Sequence, residues 1–482
     1  MPISVFIHNS NDLQQLKAKE IVPDQAPSPL LGLATGFYGF VDCYNGHFTA
    51  STRPVFVQAQ QYLCGLIQAE DKNMERMAEV VPDSDEQVLE HFLTYSPWSY
   101  RGVMNQVASD TDAIFGDSAD TCLIIDETGL PKKGDKSVGV DRQWCGNLGK
   151  VDNCQVGVFG AIACGAGVTL IDGCLYLPKS WTDDPRRCKE AGVPEEHIVE
   201  KSKCDLALEI VNHARGNGIG YSWVGVDGGY GKDPAFLRKL DAHGEIFVAD
   251  VHKDQRIYLE DPNPIIPEPK SNRGRKPTCL VAQSESIRVD KWAAKQPESA
   301  WELIAIREGT KGKIWVEILH KRVWLWDGKE ERAHLWHLIV RRETDAPKEV
   351  KYTLSNAPES TTAEHLAFMQ GQRYWVERSL KDGKSELGLG DYQARKWNSW
   401  HHHMALVMMA MLFMLKTRLS NKDDYPLLSC HDVKVMLAYF LPRRDTTFEE
   451  IQRQMEVRHK KRQLSIASAS RKKERYITSR GS

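Results

Sequence analysis

A chain of 482 residues, 41% of them hydrophobic, is too long for one ordinary domain and apolar enough to bury sizeable cores. Its eleven cysteines, an odd total with no C-x-x-C pair, exclude a regular disulfide framework and a zinc ribbon and suit a reducing compartment. The net charge of −2 conceals an asymmetry: residues 1–120 carry 16 acidic against 6 basic side chains, whereas residues 416–482 carry 16 basic against 8 acidic, a balance that suits a polyanionic partner at that end.

The opening segment MPISVFIHNSNDLQQLK lacks a basic stretch followed by an apolar core, so it does not read as a secretion signal and a cytoplasmic protein is expected. Pro, Gly and Ser concentrate over residues 23–39, which marks residues 1–45 as a loose leader. Residues 46–115 place apolar side chains at helical spacing, as in RPVFVQAQQYLCGLIQAE, and predict an all-helical domain. Within it, residues 83–93 and 98–107 have the lengths of a helix-turn-helix, while the acidic balance argues against a broad phosphate-binding face.

The period changes over residues 116–255. TCLIID, QVGVFGAIACG and VTLIDGCLYLP read as strands, the last two joined by a tight turn at Ala166 and Gly167. A helix over residues 200–213, the strand YSWVGVD, a helix over residues 234–240 and the strand EIFVAD complete the order β-β-β-α-β-α-β. That order, with acids closing the first and fourth strands, is what an RNase H-like nuclease core would show. Residues 256–360 read as a β-rich insertion, from KIWVEILHKRVWLW, HLWHLIVRRE and VKYTLSN. Residues 361–415 return to helix and complete the core, and residues 416–482 form a basic helical region. The longest apolar run, residues 404–415, is far short of the roughly 20 residues that span a bilayer and reads as a buried helix. The expected fold class is a multidomain α/β protein: an RNase H-like core, interrupted by a β-rich insertion and flanked by helical regions.

Cleaving a phosphodiester with two metal ions requires converging carboxylates, because hard divalent cations take oxygen ligands. Asp126 in IIDETG and Asp227 in VGVDGGYG each end a short apolar strand and precede a Gly-containing turn, the place where an open α/β sheet puts its site. Taken alone, an Asp in that place also serves as a turn or helix cap. The helix after the insertion offers Glu377, Asp382 and Glu386. At about 100° per residue, Glu377 shares a face with Arg373 and Lys384, whereas Asp382 and Glu386 lie opposite. Glu377 is therefore the acid flanked by cations, in a stripe that would also make a surface ladder of ion pairs. The consecutive His401, His402 and His403 point about 100° apart on one helix, which favours packing over metal binding.

The run IIDETGLPKKGDKSVGVDRQWCGNLGKVDNCQVGVF, the D-x-x-Y-G over residues 227–231 and the R-x-x-x-E-x-x-x-x-x-x-K over residues 373–384 resemble bacterial insertion-sequence transposases. More narrowly, they resemble the DDE group with a β-insertion before the final Glu and a Tyr-Arg-Glu-Lys signature. The similarity runs from about residue 52 to residue 415, and it implies that Asp126, Asp227 and Glu377 are catalytic and bind Mg²⁺, for which Mn²⁺ substitutes. It further implies that Arg373 and Lys384 approach the phosphates of the transposon end, and that Lys132, Lys133 and Tyr230 contact DNA. At the signature Tyr position, seven residues before Glu377, this chain has Gln370. The implied activity is cleavage at transposon ends and transfer of the 3′-hydroxyl into target DNA by a homodimer on double-stranded DNA, in a cytoplasmic, nucleoid-associated setting. Two other functions are alternatives: a metal-dependent nuclease on the same core that cuts without joining, and a domesticated, non-enzymatic DNA-binding protein, against which the intact acid set speaks. In the insertion, Trp324 and Trp336 are candidates to stack a base flipped out during second-strand cleavage, with sheet packing as the default role of each.

Overall fold

The computed structural model describes residues 30–50, 53–116, 118–269, 276–309, 312–346 and 348–478. Residues 1–29 of the expected leader lie outside the described residues. The rest of the leader is not loose: helix α1 (Leu33–Asp42) buries Leu33, Ala34, Phe37 and Val41. The Pro, Gly and Ser count over residues 23–39 misjudges this stretch because docking depends on the apolar stripe of LATGFYGFV, not on the small residues between. Helices α2 (Phe56–Gln68), α3 (Met74–Val80), α4 (Glu86–Thr94) and α5 (Tyr100–Phe115) follow. Asp85 caps α4 by accepting the amides of Gln87 and Val88, and Ser99 caps α5 by accepting that of Gly102. The candidate helix-turn-helix directs its second helix inward: Val103, Met104 and Val107 of α5 are buried, and Arg101, the one cation of that helix, binds the buried Asp172 at 2.6 Å.

The next strands are β1 (Thr121–Pro131), β2 (Asp141–Cys145), β3 (Lys150–Cys164) and β4 (Gly167–Leu175). After them come α6 (Lys203–Gly216), β5 (Trp223–Val226), α7 (Pro234–Ala242) and β6 (Phe247–Val251). β3 is antiparallel to β1 and β4, β5 is parallel to β1, and β6 is parallel to β5. The spatial order is thus β4-β3-β1-β5-β6, with β2 on the far part of β3. Both faces are covered. Leu123 and Ile125 point into a core shared with α6 and α7, while Ile124 points into the opposite core. A strand buried on two faces reads as the unbroken apolar run CLII, not as alternation.

Residues 256–355 supply β7 (Arg256–Tyr258), β8 (Ser286–Arg288), β9 (Glu302–Gly309), β10 (Gly312–Leu325), β11 (His334–Glu343) and β12 (Val350–Ser355). β12 runs antiparallel along β6, with Thr353 opposite Asp250, so these strands extend the sheet to twelve strands among the described residues. Helices α8 (Ala363–Gln372), α9 (Tyr374–Leu387), α10 (Trp397–Ser420), α11 (Cys430–Phe440) and α12 (Phe448–Thr478) close the chain. α10 is apolar on all sides because it is wrapped on all sides, by β4, α4, α5 and α11. It is the one helix among the described residues long and apolar enough to cross a membrane, and 78% of its most apolar window is buried inside the protein. His401, His402 and His403 are buried in this core. The Nδ1 of His403 meets the Tyr62 hydroxyl at 2.8 Å, and its Nε2 meets the Gly388 carbonyl at 3.0 Å.

Candidate active site

In the parallel register Ile125 of β1 stands opposite Val226 of β5, so Asp126, in mid-strand and paired with Phe159 of β3, lies level with Asp227, the residue that follows β5; the expectation that Asp126 ends its strand fails because β1 runs on along β3 to Pro131. Asp227 Oδ1 accepts the Gly229 amide at 2.8 Å and caps the turn Gly228–Gly231. That turn lies so close to β6 that a Cβ on Gly231 would come within 2.0 Å of the Asp250 carbonyl oxygen. Only glycine allows the approach. Asp126 is largely buried. Its burial and the neighbouring charge of Asp227 push its carboxyl up to about 7, against the opposing pull of Arg373.

Arg373, at the junction of α8 and α9, reaches three carboxylates. Its Nε lies 3.1 Å from Asp250 Oδ2, its Nη2 2.7 Å from Glu377 Oε1 and its Nη1 3.9 Å from Asp126 Oδ2. Burial opposes the guanidinium charge, yet Asp250, Glu377 and Asp126 together hold its pKa above the ordinary value. Asp250 is itself fixed: the Thr353 hydroxyl donates to its Oδ1 at 2.6 Å, and the Gln370 amide donates to Thr353. Gln370, at the signature Tyr position, is therefore a buried link in the chain that orients Arg373. Lys384 is half-buried; burial lowers its pKa, and Cys145 and Asp126 oppose that shift. On the other side of α9, Asp382 pairs with Arg378 at 3.0 Å and Glu386 with His431 at 3.0 Å.

Among the described residues no group of three His, Cys, Asp or Glu side chains stands ready to hold a metal ion. Glu377 is half exposed and its carboxylate is engaged by Arg373. The donor set nevertheless suits a hard divalent cation. Two neighbouring carboxylates supply only oxygen ligands, and the carboxyl of Asp126 is raised first by burial and then by the charge of Asp227.

A family model of the DDE superfamily endonucleases matches residues 43–313, more than half of the chain. The chain belongs to the DDE superfamily endonucleases. Nucleic-acid cleavage is accordingly its chemistry, and the sequence resemblance holds. The matched span contains Asp126 and Asp227 and stops before Glu377. The endonuclease is also 26% identical, over 332 residues, to a probable transposase for the insertion sequence element IS701 from Microchaete diplosiphon, an alignment covering 67% of this chain and 72% of that relative. Among solved structures, the NurA nuclease from Sulfolobus solfataricus aligns over 58% of this chain and 86% of its own, at 12% identity and a TM-score of 0.23.

Several residues expected to contact DNA are engaged within the protein. Lys132 donates from Nζ to the carbonyls of Gly390 and Tyr392 at 2.9 and 2.8 Å, and burial lowers its pKa to about 8. It ties down the loop between α9 and α10, whereas Lys133 beside it is exposed. Tyr230 is buried, and its hydroxyl donates to Glu127 at 3.3 Å, so it braces the Asp227 turn from below. Trp336 is buried edge-on against Phe247, with ring centroids 4.9 Å apart. Trp324 pairs with Leu335, and Trp336 with Val323, so the two rings leave opposite faces of the sheet and cannot share one pocket. A cavity of about 820 Å³ beside the Asp227 turn is lined by Gly231, Tyr258, Trp326 and Trp336, not by Trp324.

Asp250, Glu127 and Lys203 were not candidates from sequence. Lys203 at the start of α6 pairs with Glu127, which places a second acid–base contact directly behind Asp126. Asp250 had one signal, as the third apolar strand to end in an acid, EIFVAD, but nothing local in the sequence links it to Arg373, 123 residues away.

Proposed function

We propose that this endonuclease is the transposase of an insertion sequence, built on an RNase H-like core, that cuts DNA at the transposon ends and joins the freed 3′-hydroxyl to target DNA. The strand order β4-β3-β1-β5-β6, with β1, β5 and β6 parallel, supports the core assignment. The observation that carries the reading is that Asp126 within β1 and Asp227 just after the neighbouring β5 lie at one level, with Arg373 between Asp126 and Glu377.

Asp126 and Asp227, joined by Glu377, would hold Mg²⁺ or Mn²⁺. Bound divalent ions would lower the pKa of the attacking water and neutralise charge on the scissile phosphodiester. Arg373, kept from collapsing onto Asp126 by Asp250, presents donors to a non-bridging phosphate oxygen, and Lys384 on the same helix face serves the end phosphates. Water attacks phosphorus and the 3′-oxygen departs as a hydroxyl; that hydroxyl then attacks a target phosphodiester and displaces another 3′-oxygen. Two ends in one reaction call for a homodimer on double-stranded DNA in the nucleoid. A base extruded during second-strand cleavage would stack in the cavity beside Trp326 and Trp336, which replaces the expectation for Trp324.

The test uses the full chain, labelled duplexes carrying the inverted repeats that flank its gene, and Mg²⁺ or Mn²⁺. Cleavage at the repeat and a joined product from precut ends are expected. Cutting without joining would leave a simple nuclease, and binding without cutting with either ion would leave a DNA-binding protein.

A further inference from the structure

Beyond Glu377 the insertion and the catalytic helix enclose a small pocket of about 220 Å³ that the chemistry above does not use. Asp250, Arg373 and Glu377 line one side of it, and Arg307, Arg341 and Lys351, from β9, β11 and β12, line the other. Its volume is below the roughly 300–1,000 Å³ of sites that enclose whole small molecules, so it suits one group of a larger ligand.

The charges of this pocket do not balance internally. Asp250 and Glu377 are taken by Arg373, and Glu343 is taken by Arg341 at 2.5 Å. Among the described residues neither Arg307 nor Lys351 makes an ion pair; Arg307 instead lies over the Tyr374 ring, 3.9 Å from its centroid. Arg341 and Lys351 stand directly opposite each other in the β11–β12 register, where like charges repel. Arg341 is 9% exposed, its Nε makes no hydrogen bond within the protein, and the same holds for the buried amide oxygen of Gln370. Burial lowers the Arg341 pKa, Glu343 and Asp250 oppose that shift, and Arg307 adds to it. One carboxylate on Arg341 leaves the charges of Arg307 and Lys351 beside it without a counter-ion among the described residues, which an incoming anion would supply.

We propose that Arg307, Arg341 and Lys351 form a subsite for one backbone phosphate of the DNA strand that lies across Glu377. The proposal rests on the DNA-cleaving reading of the Asp126 site. The ligand is a phosphodiester: one negative charge matches the surplus, and Arg307 and Lys351, which reach solvent, can donate charge-assisted hydrogen bonds to its oxygens while the buried Arg341 adds its charge. The insertion thereby positions the substrate from the sheet side while Arg373 acts at the reacting phosphate.

The test measures binding of the full chain, without divalent metal, to precut end duplexes that carry a single neutral methylphosphonate at successive positions. Lys351→Gln and Arg307→Gln are the main variants, since both side chains reach solvent, and unchanged thermal melting checks their folding. Each should weaken binding to the unmodified duplex about tenfold, the worth of one charge-assisted hydrogen bond, and reduce the salt slope by about one. A methylphosphonate at one position should weaken the wild-type protein by a similar factor and leave the variants unaffected. Variants that bind with unchanged affinity and slope, or that lose affinity equally on every duplex, would overturn the subsite. The two readings fail separately: a wild-type protein that binds ends and never cuts sinks the transposase, whereas one that cuts while Lys351→Gln binds normally sinks the subsite alone.

Discussion

The sheet end that carries Asp126 and Asp227 and the C-terminal helix α12 each concentrate charge of one sign, and the molecule treats them in opposite ways. At the sheet end, neighbouring carboxylates share the single guanidinium of Arg373, and the carboxyl of Asp126 is pushed up to about 7 as a result of burial and of Asp227. On α12, Arg458 lies 2.8 Å from Glu79, and Lys461 pairs with Glu75 at 3.4 Å and with Glu86. Two cations of the basic tail are thus folded back onto acids of the N-terminal helices, which joins the two halves of the charge asymmetry at that contact. Uncompensated charge in a low-dielectric place marks a site awaiting a ligand, whereas compensated charge on a surface marks packing.

The comparison breaks first if the acids are dispensable. Asp126→Asn, Asp227→Asn and Glu377→Gln should each reduce metal-dependent cleavage about a thousandfold or more while end binding persists. Asp382→Asn and Glu386→Gln, whose carboxylates face other partners, should change the rate only a few fold. Cleavage assays beside gel-shift binding decide it; a Glu386 variant as damaged as the Glu377 variant would move the third acid.

A second measurement separates core from site among the aromatics. Trp336→Ala should cost about 3–5 kcal/mol in denaturant unfolding, because it opens a cavity against Phe247, whereas Trp324→Ala on the outer face should cost about 1 kcal/mol. Equal costs would contradict the opposite-face register.

The acid stability of the α10 core is the third. His403 accepts from Tyr62 on one ring nitrogen and donates to the Gly388 carbonyl with the other, an arrangement made for the neutral ring. Burial, with Lys132 nearby, lowers its pKa from 6.5 to about 3, so between those values the unfolded chain binds the proton and the folded chain does not. Its contribution is full above pH 6.5 and is lost as the pH falls toward 3. Melting temperature should therefore drop steeply over that window, and His403→Gln should make the drop shallower; a parallel curve for the variant would refute the neutral-ring account.

The smallest effects belong to α12. Lys461→Gln or Arg458→Gln should cost less than about 1 kcal/mol, as exposed ion pairs do. Farther along the helix the exposed Lys472 and Lys473 face no such demand. Their conversion to Gln should leave melting unchanged and lower the salt slope of DNA binding by up to about one each. An unchanged slope would make the whole helix a packing and solvated element.

How much of this was legible in the sequence follows the range of the forces involved. The strand and helix order through residues 116–255 could be read because burial on two faces leaves unbroken apolar runs and burial on one face leaves a helical stripe, both local patterns. That Asp227 closes its strand, and that Glu377 shares a helix face with Arg373 and Lys384, needed no more than residue spacing, whereas Asp126 lies in mid-strand because pairing with β3 carries β1 on to Pro131. The internal partners of Tyr230, Lys132 and Trp336 were not legible for the same reason: residue type and proximity to a motif do not reveal which side of a turn or sheet a side chain leaves from.

What only the tertiary structure decided is the pairing of groups far apart along the chain. The register of β12 on β6 brings Thr353 to Asp250 and so fixes Arg373; the docking of α12 on α3 and α4 consumes Arg458 and Lys461; and the β11–β12 register sets Arg341 against Lys351. Each depends on which residue faces which across an interface. Hydrophobic period, helical phase and charge density are properties of neighbours in sequence and are therefore set by the chain alone, whereas register is chosen by the whole core as it closes, since a shift of one residue would turn every side chain of a strand to the other face.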